Sequence, residues 1–336
     1  MPEACSGPWC VSSFYTSPMQ SVSVIMTVLN EARDIERGLA SLLALEPPAA
    51  EIVVVDGGSA DGTWAKLAAM QARNPRLVAI RDETCNLKHC PGPISRGRNV
   101  AIAAAKCDII ACADAGCSYA PDWLRNLTGK IVAGEAEYAL GGSCLDPAEH
   151  TVWDVASVPF LGVKLAANEP QKSCTARSMA FTKELWQRIG GFPEDVLLGE
   201  DTLFDFAARG QTQPDFANYA KALYRPENSF AQACGQLARY AFSDGQARVR
   251  RARLFRNAAR CMLQVLAVIA LPWSVIPLLF VLALELVFAF KKDGRSLVRF
   301  GTMAVLARLV FSLAVPWVVA VNQMRGIATA RSHRKA

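Results

Sequence analysis

The apolar residues of the first third of the chain fall into short unbroken runs, separated by stretches with helical spacing. SVSVIMTVLN (21–30), EIVVVD (51–56), LVAI (77–80) and DIIACAD (108–114) are aliphatic and β-branched with little polar alternation, as strands buried on both faces are. Between them, EARDIERGLASLLAL, the stretch 61–72 and SRGRNVAIAAA carry apolar residues three and four apart, the period of helices with one buried face. Asn30 stands where it can cap the first of these helices. PDWLRNLTGKIVAG follows the fourth strand and opens a helix with Pro121 near its start. Strand and helix alternate four times. The pattern predicts an α/β fold with a mostly parallel sheet and helices on both faces.

At residue 141 the rhythm changes. GGSCLDPAEHTVWDVASVPFLGVKLAANEPQKSC has no clean period and reads as loop and short helix. ARSMAFTKELWQRIGGFPEDVLLGEDTLFDFAARG recovers a strand, a helix, a turn and a second helix, and SFAQACGQLARYAFSDGQ is helical. Two long apolar runs follow. The first, 261–290, has Gln264, Ser274 and Glu285 as its clearly polar members, and the second, 301–321, is interrupted by Arg308. A span takes about 20 apolar residues, so both runs qualify on length.

Composition agrees with a mixed chain. At 52% hydrophobic, 20% charged and a mean hydropathy of +0.18, it is too apolar to be wholly soluble and too polar to be all membrane. Six arginines between Arg248 and Arg260 contribute much of the net charge of +6, which favours an anionic membrane surface over nucleic acid as the partner. Residues 1–20 lack a basic n-region and a continuous apolar core, so no signal peptide is expected there. The 11 cysteines are scattered. Cys85/Cys90 and Cys107/Cys112/Cys117 are five apart, not a zinc spacing, and the thiols are expected to be reduced and structural.

Candidate chemistry sits where the predicted strands end. Asp56 and Asp114 each close an apolar strand, at the edge where ligands of open α/β sheets bind. Either can be an Asx-turn acid, but the two together favour a nucleotide site. The GGSADG turn matches neither G-x-G-x-x-G nor a Walker A loop, which argues against a dinucleotide oxidoreductase and a P-loop NTPase. RGRN places Arg96 and Arg98 near the same edge, available to phosphate or simply solvated. Glu200 and Asp201 begin a helix after a glycine, and are either first-turn acids or a general base beside a nucleotide. Gln236, Arg239 and Tyr240 share one helical face.

Taken in order, VSVIMTVLNEARDIERGLASL, IVVVDGGSADGT, RGRNVAIAAAKCDIIACADAG, PDWL, IGGFPED, LGEDTLFDFAARG and QLARY closely resemble the family 2 glycosyltransferases with the GT-A fold, over about residues 21–245. The resemblance implies that Asp56 binds the nucleotide base and that Asn30, Glu31, Arg98 and Asp114 belong to the sugar-nucleotide site. Asp114 would begin the D-x-D motif and be the metal ligand, Asp201 would be the general base with Glu200 beside it, and Gln236, Arg239 and Tyr240 would grip acceptor or pyrophosphate. Tyr240 stands where relatives have tryptophan. Gly116 stands where the second Asp of D-x-D should be, so Mg²⁺ or Mn²⁺ is expected to bind weakly.

The implied reaction is inverting transfer of a sugar from a nucleotide-diphospho-sugar, with a UDP-sugar favoured, to a hydroxyl of a lipid-linked or cell-envelope glycan. Two alternatives are a processive polysaccharide synthase, whose membrane helices usually also precede the catalytic domain, and an inactive membrane-tethered binding protein. The expected organisation is a flexible N-terminus (1–20), the GT-A domain (21–245), a basic interfacial helix (246–260), a membrane region of two or three helical segments (261–322) and a basic cytoplasmic tail (323–336). Lys291, Lys292, Arg295 and Arg299 between the runs, and Arg325, Arg331, Arg334 and Lys335 after them, leave the number of crossings open. The expected location is the inner membrane, multi-pass, with the catalytic domain cytoplasmic and in contact with membrane lipids.

Overall fold

The computed structural model describes residues 21–166, 174–226, 228–291 and 297–332. The expected 1–20 stretch, Lys292, Arg295, Arg334 and Lys335 lie outside them.

Eight strands form one sheet: β1 (Val22–Val28), β2 (Glu51–Asp56), β3 (Leu77–Arg81), β4 (Ile109–Cys112), β5 (Cys117–Tyr119), β6 (Tyr138–Leu145), β7 (Met179–Thr182) and β8 (Asp215–Tyr224). Their order is β3-β2-β1-β4-β7-β6-β8-β5. The first four are parallel, with Val28 opposite Asp56 and Ile25 opposite Cys112. Beyond β4 the sheet is mixed: β7 is antiparallel to β4 and β6, β8 runs parallel to β6, and β5 returns antiparallel to β8. The expected mostly parallel sheet is therefore confined to its N-terminal half.

Alternation along the strands divides the side chains between two cores. Val24, Met26, Ile52 and Val54 face α1 (Ile35–Leu43), α2 (Thr63–Gln71) and α4 (Trp123–Val132). Ile25, Val53 and Val55 face the opposite layer, made by α3 (Pro93–Ala104), α6 (Lys183–Arg188) and α7 (Glu200–Arg209). Asn30 caps none of these helices. Helix α1 starts after Asp34, and Asn30 adopts a left-handed conformation (φ 57°) in the preceding loop.

The remaining helices are α5 (Val152–Ser157), α8 (Phe230–Gln246), α9 (Arg251–Ala270), α10 (Ile276–Lys291) and α11 (Thr302–Ser332). A third core joins them across residue 245. Ala307, Phe311, Val315 and Val319 of α11 pack on Ala233, Leu237 and Ala241 of α8 and on Ala156 of α5. The two helices cross where both are glycine: a Cβ on Gly245 would lie 2.2 Å from the Gln323 carbonyl, and one on Gly326 would lie 2.0 Å from that of Phe242.

This packing revises the multi-pass expectation. Among the described residues one helix, Thr302–Ala330, is long and apolar enough to cross a membrane, and half of its apolar window is buried inside the protein. Sixteen residues of α10 reach about 24 Å, short of the roughly 30 Å hydrocarbon layer. Arg308, the interruption in the second run, is fully buried and donates to the carbonyls of Val155 (2.5 Å) and Ala289 (3.4 Å).

Candidate active site

The carboxyl ends of β1 and β4 open on a cavity of about 980 Å³. Glu31, Arg98, Asp114, Glu200 and Asp201 line it from the sheet side, and Gln236, Arg239 and Tyr240 from α8. Eight of the eleven residues singled out in the sequence therefore share one space. Asn30 and Asp56 do not reach its wall, nor does Arg96, which pairs with Glu194 and Thr84.

Asp56 is fully buried and accepts from the backbone N–H (3.2 Å) and the hydroxyl of Ser59. Ser59 in turn accepts from the Asn30 N–H (2.8 Å), while the Asn30 side-chain carbonyl accepts from the N–H of Ala60 (2.9 Å). One residue further on, the Glu31 N–H donates to Thr63 (2.8 Å). The GGSADGT turn thus clasps residues 30–31 and holds the Glu31 carboxyl at the cavity. Burial first, then the nearby Asp34 and Asp114 carboxylates, push Glu31 up from 4.5 to about 7.

Strand β4 stops at Cys112, leaving Asp114 in the turn to β5. Its N–H donates to the Tyr119 hydroxyl (2.9 Å), which donates to the Arg177 carbonyl (3.1 Å). The two Asp114 oxygens face guanidinium groups, Arg98 at 3.3 Å and Arg177 at 3.9 Å. Arg98 is buried and is also paired to Glu200 at 2.5 Å. Burial disfavours its charge, but Glu200 and Asp114 outweigh this and hold Arg98 above its ordinary range. It is neither solvated nor free for phosphate. It joins β4 to α7.

Helix α7 follows Gly199 in a left-handed conformation (φ 81°), where L side chains are strained, and this turn delivers adjacent acids to the helix start. Glu200 turns inward to Arg98. Asp201 lines the cavity and accepts from the N–H of Thr202 (2.6 Å) and that of Ala176 (3.4 Å). On α8, Gln236 donates to the Tyr224 hydroxyl (3.0 Å), and its own side-chain carbonyl oxygen is buried without a partner among the described residues. Arg177 stacks over the Tyr224 ring at 4.3 Å and reaches the Tyr240 hydroxyl at 3.4 Å. Sequence reasoning missed Arg177 because ARSMAF was read only as the start of a strand, and the groups Arg177 meets are distant in sequence.

Among the described residues no three of His, Cys, Asp and Glu stand together as a metal cluster. Asp114 offers one carboxylate with a cation on each oxygen. This donor set fits a divalent cation only when diphosphate oxygens complete its shell. Tyr224 lies 3.7 Å from the Cβ that Gly116 lacks, which is ordinary contact, so the space for a second acid remains.

The sheet order and the edge that carries these acids are those of a GT-A fold. The chain resembles the mannosyltransferase PcManGT from Pyrobaculum calidifontis, solved with GDP-Man and Mn²⁺, with a TM-score of 0.54 and 20% identity over 94% of this chain and 88% of that one. Residues 23–180 match the model of glycosyl transferase family 2. It is 34% identical over 119 residues to the succinoglycan biosynthesis protein ExoO of Rhizobium meliloti, covering 35% of this chain and 32% of that protein. It is 28% identical over 195 residues to the glycosyltransferase AglE of Haloferax volcanii, covering 55% and 60% respectively. The matches thus span about a third and three-fifths of these relatives.

Proposed function

We propose that the protein is an inverting glycosyltransferase that moves a sugar from a nucleotide-diphospho-sugar to an acceptor hydroxyl. The observation that carries this reading is the meeting of Asp114, Asp201 and the Gln236/Arg239/Tyr240 face around one cavity. In-line attack on the anomeric carbon needs a base on the acceptor side. Asp201 supplies it, because its carboxylate lines the cavity while Glu200 is committed to Arg98. The departing diphosphate needs fixed positive charge. Arg177 and Arg239 provide it, and Arg98 acts through Asp114 and Glu200, which it positions. The unpartnered Gln236 carbonyl can accept from a sugar or acceptor hydroxyl.

Asp114 would hold a divalent cation, Mg²⁺ or Mn²⁺, on the protein side, and that cation would supply Lewis-acid neutralisation of the leaving group. A UDP-sugar is the favoured donor, and the acceptor belongs to a lipid-linked or envelope glycan. The solved neighbour with GDP-Man and Mn²⁺ supports a nucleotide-sugar donor used with a divalent cation, though not UDP in particular, and the relative in succinoglycan biosynthesis supports a glycan acceptor. The exposed apolar residues of α9 and α10 and the arginines of 246–260 support a catalytic domain held against a membrane, on its cytoplasmic face in this reading. Membranes carrying the protein should hydrolyse or transfer from at least one member of a panel of UDP-, GDP- and dTDP-sugars. No turnover, together with no nucleoside diphosphate binding, would leave a binding protein in its place.

A further inference from the structure

The cavity continues past the sheet edge. Its far walls are Phe160 and Leu161 after α5, Arg253 and Arg256 of α9, and Phe288 and Lys291 of α10. The positive charges there are unequally compensated. Arg250 and Arg253 share Asp244, at 3.2 and 3.1 Å. Arg260 is spent on Glu285, Ser312 and Asn257. Arg256 and Lys291 are exposed and have no acid or hydrogen-bond partner among the described residues. Arg253 lies below its ordinary range, by burial first and then through Arg250 and Arg256, although Asp244 opposes this, so positive charge is crowded at this end.

The same helices are apolar on their outer faces. Phe255 beside Arg256 is 71% exposed, and Phe280 and Val287 on α10 are 62% and 60% exposed. Soluble surfaces rarely gather large apolar side chains in this way. A cationic pocket walled by helices that carry exposed apolar side chains suits an anionic head on a hydrocarbon chain. Arg and Lys are the side chains that hold phosphate, and an apolar band on those helices lets the tail stay in lipid.

We infer that this end of the cavity admits an acceptor whose phosphate or diphosphate is carried on a membrane-embedded hydrocarbon chain, with Arg256 and Lys291 binding the phosphate. The inference rests on the glycosyltransferase reading and names the acceptor class for that site. The full chain in neutral detergent can be titrated with farnesyl phosphate, farnesol and inorganic pyrophosphate, as wild type and as the Arg256→Gln/Lys291→Gln variant. Both side chains are exposed, so the variant should melt with the wild type. Farnesyl phosphate should bind the wild type and lose about tenfold or more in the variant, the usual worth of hydrogen bonds to a charged group. Farnesol should bind weakly to both, and pyrophosphate more weakly than farnesyl phosphate. Equal affinity of wild type and variant for farnesyl phosphate would overturn the inference. So would pyrophosphate binding as tightly as farnesyl phosphate, which assigns the cations to the donor. Displacement of farnesyl phosphate by phosphatidylglycerol vesicles but not by phosphatidylcholine ones would assign them to bulk lipid headgroups, again against it. UDP and GDP binding is the separate control: its absence in the wild type would strike the glycosyltransferase reading, while its persistence in the variant isolates the acceptor end.

Discussion

Glu200 and Asp201 are neighbours in sequence and should fail in different ways. Glu200 is 6% exposed, and its carboxylate meets buried Arg98 at 2.5 Å. Removing one partner of a buried ion pair costs about 3–5 kcal/mol, because the survivor stays desolvated. Glu200→Gln leaves Arg98 with Asp114 at 3.3 Å, a partially exposed acid that compensates in part. The loss should therefore fall near the lower end, about 3 kcal/mol, or roughly 6–10 °C in melting temperature. Asp201→Asn keeps an acceptor for the Thr202 N–H and leaves no buried cation behind, so it should melt within about 2 °C of the wild type. Its transfer rate should fall about 10²-fold or more, the usual contribution of a general base, with nucleoside diphosphate affinity unchanged. Differential scanning fluorimetry and single-turnover transfer, run on both variants, separate the roles. If Glu200→Gln melts with the wild type, the buried pair does not carry the stability assigned to it. If Asp201→Asn turns over nearly normally, the base lies elsewhere.

Other outcomes follow from the same geometry. Glu31 rises from 4.5 to about 7, so the folded protein holds a proton there that the unfolded chain has lost; its cost is absent below about pH 4.5 and full above about pH 7. Glu31→Gln, melted in chelator, should gain about 1–2 kcal/mol more at about pH 8 than at about pH 5, discounted for partial exposure, and equal shifts at both would refute the assignment. Asp56→Ala should weaken donor and bare nucleoside diphosphate alike by about 1.5–3 kcal/mol by loosening the Ser59–Asn30 clasp, and unchanged affinities in titration calorimetry would remove that loop from the nucleotide site. Activity should need Mg²⁺ or Mn²⁺ only weakly, at about millimolar concentration, and Gly116→Asp should tighten that requirement; tight stoichiometric metal in the native protein would point to other ligands. Protease added outside right-side-out vesicles should spare residues 21–245 until the membrane is opened, and earlier digestion would reverse the topology.

β1, β2 and β4 were legible because each is a buried, mostly aliphatic run, and a run buried on both faces has no polar alternation to confuse it, while the half-buried edge strand β3 showed as a short apolar run. β6 and β8 were not. YALGGSCL carries two glycines and DFANYAKALY is alanine-rich with a lysine inside, so neither has the composition of an ordinary strand; neighbouring strands make them strands. The acids and the α8 face were readable from order and spacing. Arg177 was not, since its importance comes from Asp114, Tyr224 and Tyr240, which are distant in sequence. The second apolar run does form a helix long enough to span, but half of its apolar window is buried inside the protein. Periodicity shows that α11 is apolar all round, but not that one of its faces is covered by α8 instead of lipid.

The glycine crossing of α8 and α11 makes the rear of α8 and the C-terminal helix a single wall. Gln236, Arg239 and Tyr240 project from one side of α8, while Leu237 and Ala241 lean on α11. A chain shortened after residue 250 to ease purification would strip that support and expose an apolar stripe beside the site. With α11 in a bilayer, as the proposed function has it, a bilayer thickness or curvature that tilts α11 would shift Gln236, Arg239 and Tyr240 through the same wall.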